Sequence, residues 1–217
     1  MITLLVPFLK EAAFSSRHEA FAGVLVAHTL HLLSILMLHE LTEAVYSKDS
    51  IATRSKFAFL AASLHIVSPA GIFLSAPYAE SSFSFLTFLG LFVYAKAMIG
   101  SDLKKSYAQR EIMVLASGII FGISTTFRGN GLLSGLVFVY DAVDCLNCIL
   151  RSRDVRSNCS KIVTACVSGS LMACVAVTPQ YLAYSEYCYR GEVSEYARPW
   201  CLDWPPSIYA WVQKEYW

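Results

Sequence analysis

The chain has 217 residues, of which 56% are hydrophobic and only 15% charged, with a net charge of +1 and a mean hydropathy of +0.50. Soluble domains carry roughly 25% charged residues, so a water-soluble globular class is excluded. The cations lie in separate short clusters, which excludes nucleic acid as a partner. The expected class is an all-α polytopic membrane protein.

In chain order, six apolar runs are long enough to span a bilayer, near 20–38, 57–76, 83–99, 112–127, 132–150 and 162–181. Residues 1–183 are thus expected to form a transmembrane bundle and 184–217 a segment outside the membrane. The first run carries His28 and His31 and the second His65. Their spacing makes no zinc motif, so hydrogen bonding between helices is the expected use.

The second run is interrupted. From Val67 to Glu80 it carries Pro69 and Pro77 and ends on a carboxylate. Proline removes a backbone donor and bends a helix. Irregular backbone at membrane depth survives only where protein buries it or it lines a polar cavity. Glu80 at such a break is a candidate site residue, and Tyr78 beside it has the shape to stack on a sugar or to sit in the interfacial aromatic belt. A second short gap, between the fourth and fifth runs, holds Arg128, Gly129, Asn130 and Gly131. A guanidinium recognises phosphate in a planar, bidentate way, and glycine lets backbone approach a ligand closely.

The fifth run carries Asp141 and Asp144 on one face, together with Cys145 and Cys148. No second cysteine pair completes a zinc site, so packing between membrane helices is the expected role of those thiols. No metal or cofactor is expected. Cys188 and Cys201 lie in the last segment, where a disulfide can form.

Lys and Arg counts give the orientation. Loops 40–56, 100–111 and 151–161 hold ten cations: Lys48, Arg54, Lys56, Lys104, Lys105, Arg110, Arg151, Arg153, Arg156 and Lys161. The other side holds six over more sequence: Lys10, Arg17, Arg128, Arg190, Arg198 and Lys214. The basic loops are therefore expected to be cytoplasmic, with Glu80, Arg128 and the tail on the opposite face. Six spans then start and end outside, although residues 1–19 hold no complete signal peptide. That reading treats the chain as a fragment cut at both ends.

Four motifs resemble the GPI mannosyltransferase 2 family. They are SPAGIFLSAPYAES from Ser68 to Ser81, RGNGL from Arg128 to Leu132, QYLAYSEYC from Gln180 to Cys188, and RPWC at Arg198–Cys201 followed by PSIYAWVQKEYW from Pro206 to Trp217. The long Arg-Pro-Trp-Cys version looks fungal. The resemblance implies a GT-C glycosyltransferase bundle in the endoplasmic reticulum membrane, with its site at the lumenal face. It implies dolichyl-phosphate mannose as donor, a GPI precursor as acceptor, transfer of the second mannose in α-1,6 linkage, and a small membrane accessory subunit. On it, Arg128 takes the phosphate, Asn130 accompanies it, and Tyr78 and Glu80 contact acceptor or sugar. Pro69, Pro77 and Gly131 shape the two turns.

The chain departs from the family pattern in two places. Gly129 stands where the family has Ser, and no Trp-Asp-Ala triplet, the family's proposed acid motif, occurs; only Leu4–Phe8 echoes the stretch that follows it. The catalytic residue is therefore unassigned, and this chain alone is expected to be inactive. A transporter with gates at the two breaks and a non-catalytic subunit of the same pathway are the alternatives.

Overall fold

The computed structural model describes residues 16–69, 71–100, 107–151, 155–189, 198–204 and 206–216. Ala70, Leu4–Phe8, Lys10, Lys104, Lys105, Arg153, Arg190 and Trp217 lie outside them. The elements are helical: α1 (Ser16–Val45), α2 (Ile51–Ile66), α3 (Gly71–Ser75), α4 (Glu80–Gly100), α5 (Tyr107–Phe127), a 3-10 segment (Gly129–Gly135), α6 (Leu136–Leu150) and α7 (Val155–Tyr184). A π turn (Ser185–Tyr189), a 3-10 turn (Pro199–Cys201) and α8 (Ile208–Tyr216) follow. No strand occurs among the described residues.

Among the described residues, five segments are long and apolar enough to cross a membrane: His18–Val45, Glu80–Ile99, Tyr107–Phe127, Gly129–Leu150 and Val155–Cys188. The second apolar run differs from its expected form as one span. It divides into α2 and the five-residue α3 because Pro69 cannot donate to the helix and drives Ser68 away from helical backbone. Helix α2 also starts earlier than the apolar run. Ser50 caps it, its Oγ accepting from the Thr53 N–H at 3.2 Å.

The chain divides into two compact units, Met1–Met113 and Val114–Trp217. In the first, α1 packs along α4 and α2. The contact is lined by small side chains, with Ala27, Ala44, Ala58, Ala62 and Ala97 all buried. Small residues let backbones approach where lipid provides no hydrophobic drive between helices. At the α1–α2 hairpin, Tyr46 stacks on Phe57 at 4.9 Å and Glu43 lies 3.9 Å from Arg54. Deeper in, Ser34 is fully buried on α1 and its Oγ pairs with His65 Nε2 of α2 at 3.1 Å. His65 also meets the rings of His31 and Phe88 edge-on, each at 5.4 Å. His65 thus links the helices by a hydrogen bond and His31 by a ring contact, whereas His28 Nδ1 bonds the Val24 carbonyl of its own helix at 2.9 Å.

In the second unit, α5 lies against α7 through Gly118 and Gly122. A Cβ on Gly118 would sit 2.9 Å from the Ser168 carbonyl oxygen, and one on Gly122 3.0 Å from Val175 Cβ. Ser168 Oγ donates to the Val114 carbonyl at 3.3 Å, which adds a polar link between the helices. Phe121 of α5 meets Phe138 of α6 edge-on at 5.9 Å, and both are buried with Ala165 and Met172. Cys145 is buried and Cys148 half-buried, and neither is in a disulfide. Large side chains on the outer faces, such as Phe59 and Tyr140, are more than two-thirds exposed, as lipid-facing positions are.

Candidate functional site

The first turn belongs to the first unit. Helix α2 ends as the Val67 N–H bonds the Ser63 carbonyl at 3.0 Å, and the Gly71 N–H bonds the Ser68 carbonyl at 2.8 Å. These bonds hold the bend at Pro69. Helix α3 buries Leu74 and leaves Phe73 half-exposed. Pro77 lies against α1, where a Cβ on Gly23 would stand only 2.9 Å from Pro77 Cβ. That approach fixes the level at which Tyr78, Ala79 and Glu80 emerge.

Tyr78 is 61% exposed, and its ring lies 6.2 Å from that of Phe73. The two aromatics offer an open platform. Glu80 is half-buried as the first residue of α4, where the free N–H groups and helix dipole favour a carboxylate. Ser81 beside it is fully buried, and its Oγ has no hydrogen-bond partner among the described residues.

The second turn belongs to the second unit. After Phe127 the backbone extends at Arg128 (φ −145°, ψ 129°) and re-enters a 3-10 helix, closed by the Gly131 N–H on the Arg128 carbonyl at 2.9 Å. Arg128, Gly129 and Asn130 are exposed while Gly131 is buried. A Cβ on Gly131 would lie 2.9 Å from Thr125 Cα and 3.0 Å from Thr125 N. Gly129 has nothing within 4 Å of the corresponding position. One glycine of the motif is therefore needed for packing and the other is not. Beyond the turn, Gly135 at the end of the 3-10 segment and Val139, Val143 and Leu146 of α6 face Ile162 and Gly169 of α7 across an apolar cavity of about 360 Å3.

The structure therefore puts Tyr78 and Glu80 on one turn, with Pro69 and Pro77 shaping it, and Arg128, Asn130 and Gly131 on another. Cys188 and Cys201 are joined in a disulfide. Among the described residues no group of three or more His, Cys, Asp or Glu could hold a metal ion. Sequence reasoning missed Gly23, Gly118 and Gly122 as packing positions. Their signal was small residues four apart, Gly23 with Ala27 and Gly118 with Gly122.

The family model described as Mannosyltransferase (PIG-V) matches residues 2–217. The chain is 36% identical over 211 residues to GPI mannosyltransferase 2 of Chaetomium globosum, covering 92% of this chain and 44% of that protein. It is 39% identical over 201 residues to GPI mannosyltransferase 2 of Gibberella zeae, covering 93% and 44%. With GPI alpha-1,6-mannosyltransferase 2 of Rattus norvegicus it shares 27% identity over 215 residues, covering 90% and 38%. The chain therefore spans less than half the length of these curated relatives. No solved structure matches it. A match over nearly every residue, reaching both interrupted turns and the disulfide-bonded tail, places the chain in the PIG-V mannosyltransferase family.

Proposed function

We propose that this chain carries part of the site of an α-1,6-mannosyltransferase that moves mannose from dolichyl-phosphate mannose to a GPI precursor at the lumenal face of the endoplasmic reticulum. The observation that carries the reading is 39% identity over 93% of the chain to a GPI mannosyltransferase 2. The family match also favours transfer over transport. An accessory membrane subunit belongs to the reading through the resemblance alone.

In this reaction the acceptor hydroxyl oxygen attacks the anomeric carbon as the bond to the donor phosphate breaks. The hydroxyl proton passes to a base, and the departing phosphate gains negative charge. Arg128, exposed on a turn anchored by Gly131, is suited to meet that charge. Asn130 on the same turn can donate to a phosphate or sugar oxygen. The apolar cavity beyond Gly135 suits the polyprenyl chain of such a donor. Tyr78 offers a ring face to the sugar, and Glu80 accepts from hydroxyls of the acceptor. No residue of this chain is assigned as the base.

The test is made in cells that accumulate the one-mannose GPI precursor and express the complete gene product containing this sequence. Restoration of the two-mannose species by the natural sequence, and its loss with Arg128→Ala, is the expected result. Failure of the natural sequence to restore it overturns the activity. Full restoration by Arg128→Ala overturns only the role of that residue.

A further inference from the structure

Leu202 and Trp204, in the turn after the disulfide, are 82% and 95% exposed, more than any other large hydrophobic side chain described. Both exceed the exposure of the lipid-facing residues on the spans themselves. Trp200, four residues before Trp204, is by contrast buried. The segment therefore holds one indole inside the protein and presents the next outward.

Three links fix the depth of that turn. Before it, Cys201 is bonded to Cys188 in the π turn that follows α7, and Arg198 lies over the Tyr187 ring at 5.8 Å. After it, Ser207 Oγ donates to Gln180 Oε1 at 2.5 Å. Bilayer hydrocarbon about 30 Å thick takes about 20 helical residues. Counted from Lys161, the last cation at the α7 start, that length ends near Tyr181. Gln180 is thus at the hydrocarbon boundary, and Cys188 is about 12 Å further along the helix, at the outer edge of the headgroups. Leu202 and Trp204 lie in the chain between Cys201 and Ser207, the residues tied to those two levels. An indole has an apolar body and a polar N–H, and it is enriched at this depth for that reason.

We propose that the Leu202–Trp204 turn is a membrane anchor, inserted in the headgroup–acyl boundary of the leaflet where α7 ends. Its occupant is the lipid surface. The disulfide and the Ser207–Gln180 bond hold the tail against the bilayer, so that it does not extend freely into the aqueous compartment. This inference is independent of the transferase reading and of which compartment that leaflet faces.

The experiment reconstitutes the 217-residue chain in phosphatidylcholine vesicles containing lipid brominated either near the glycerol backbone or near the acyl methyl end. Subtracting the emission of Trp204→Phe isolates the Trp204 signal. We expect emission to the blue of tryptophan in buffer, quenched about twofold more by the shallow bromine than by the deep one. A signal like that in buffer, quenched by iodide and not by bromolipid, overturns the proposal by placing the turn in water. A blue signal untouched by either quencher overturns it by showing that protein covers the turn. Leu202→Trp in the Trp204→Phe background serves as a second reporter and is expected to give the same depth profile.

Discussion

Gly131 and Thr125 touch so closely that the glycine has no room for a methyl group: a Cβ would lie 2.9 Å from Thr125 Cα. That contact seats the 3-10 helix on the end of α5 and holds Arg128 outward. Thr125 is buried, and its Oγ1 already donates to the Gly122 carbonyl at 2.6 Å, so its backbone cannot easily give way. Gly131→Ala is expected to cost about 1–3 kcal/mol through overpacking. Gly129→Ser, two residues away in open space, is expected to be neutral within about 0.5 kcal/mol. Thermal unfolding of both variants in detergent, followed by helical circular dichroism, checks the contrast; equal losses would refute this division of labour.

Arg128 is predicted to act through its fork of donors as well as its charge. Removing a preorganised donor to developing oxyanion charge typically costs about 10²–10³ in kcat. Arg128→Ala should therefore lower mannosyl transfer by about that factor, with folding intact, because the side chain is exposed. Arg128→Lys should recover only part of the rate, since an ammonium cannot engage two phosphate oxygens in a plane. Transfer of labelled mannose in membranes carrying the complete gene product measures both. Full activity with lysine would reduce the requirement to a point charge.

Much of this architecture was legible in the sequence because lipid imposes a simple rule: long apolar runs become helices with their backbone bonds satisfied internally. Both interrupted turns were legible for the same reason, since Pro69 and the Gly129–Gly131 stretch punctuate those runs. Helix ends were less so. Helix α1 runs on to Val45, beyond the apolar run, because Glu40, Thr42 and Glu43 are compatible with helix once it leaves the hydrocarbon. The split between α2 and α3 was blurred because Val67, Ala70 and Ile72 keep the hydropathy high across the bend. Least legible were the pairings. That Gly23 meets Pro77, and Ser34 meets His65, depends on helix rotation, and a single sequence fixes which face is small but not which neighbour fills it.

The Gly23–Pro77 approach makes a third prediction. Gly23→Val would force α1 and the Pro77 turn apart, displacing Tyr78 and Glu80 together. Stability should fall by about 1–3 kcal/mol, and transfer should fall further than Tyr78→Phe alone lowers it. Unfolding and transfer measured on the same preparations separate the two effects. Wild-type values for Gly23→Val would show that α1 does not set the turn.

The Ser34–His65 hydrogen bond links α1 to α2 within the first unit. Bonds between membrane helices average about 0.6 kcal/mol and reach about 1.7 kcal/mol, so Ser34→Ala should cost no more than that range. Ser34→Val should cost more, because Ser34 is fully buried and its added methyls meet the packed α1–α2 contact. If Ser34→Ala proves as harmful as Ser34→Val, the hydroxyl rather than the volume governs the site. Unfolding of the two variants under identical detergent conditions decides it.

The disulfide yields the last prediction. Cys188 and Cys201 are 13 residues apart, and closing a loop of that size restricts the unfolded chain by about 3 kcal/mol in the chain-entropy model. Cys201→Ser should therefore lower stability by up to that amount and expose one new thiol, on Cys188, to a polymer-linked maleimide. The bond also supports the turn that follows it. With Cys201 released, the Leu202–Trp204 segment keeps the Arg198–Tyr187 contact and the Ser207–Gln180 bond but no covalent link, so the difference between shallow and deep bromolipid quenching of Trp204 should shrink while overall helix content stays constant. Unchanged depth selectivity in Cys201→Ser would mean that the non-covalent contacts and the indole hold the tail at the bilayer, leaving the disulfide to act on stability only.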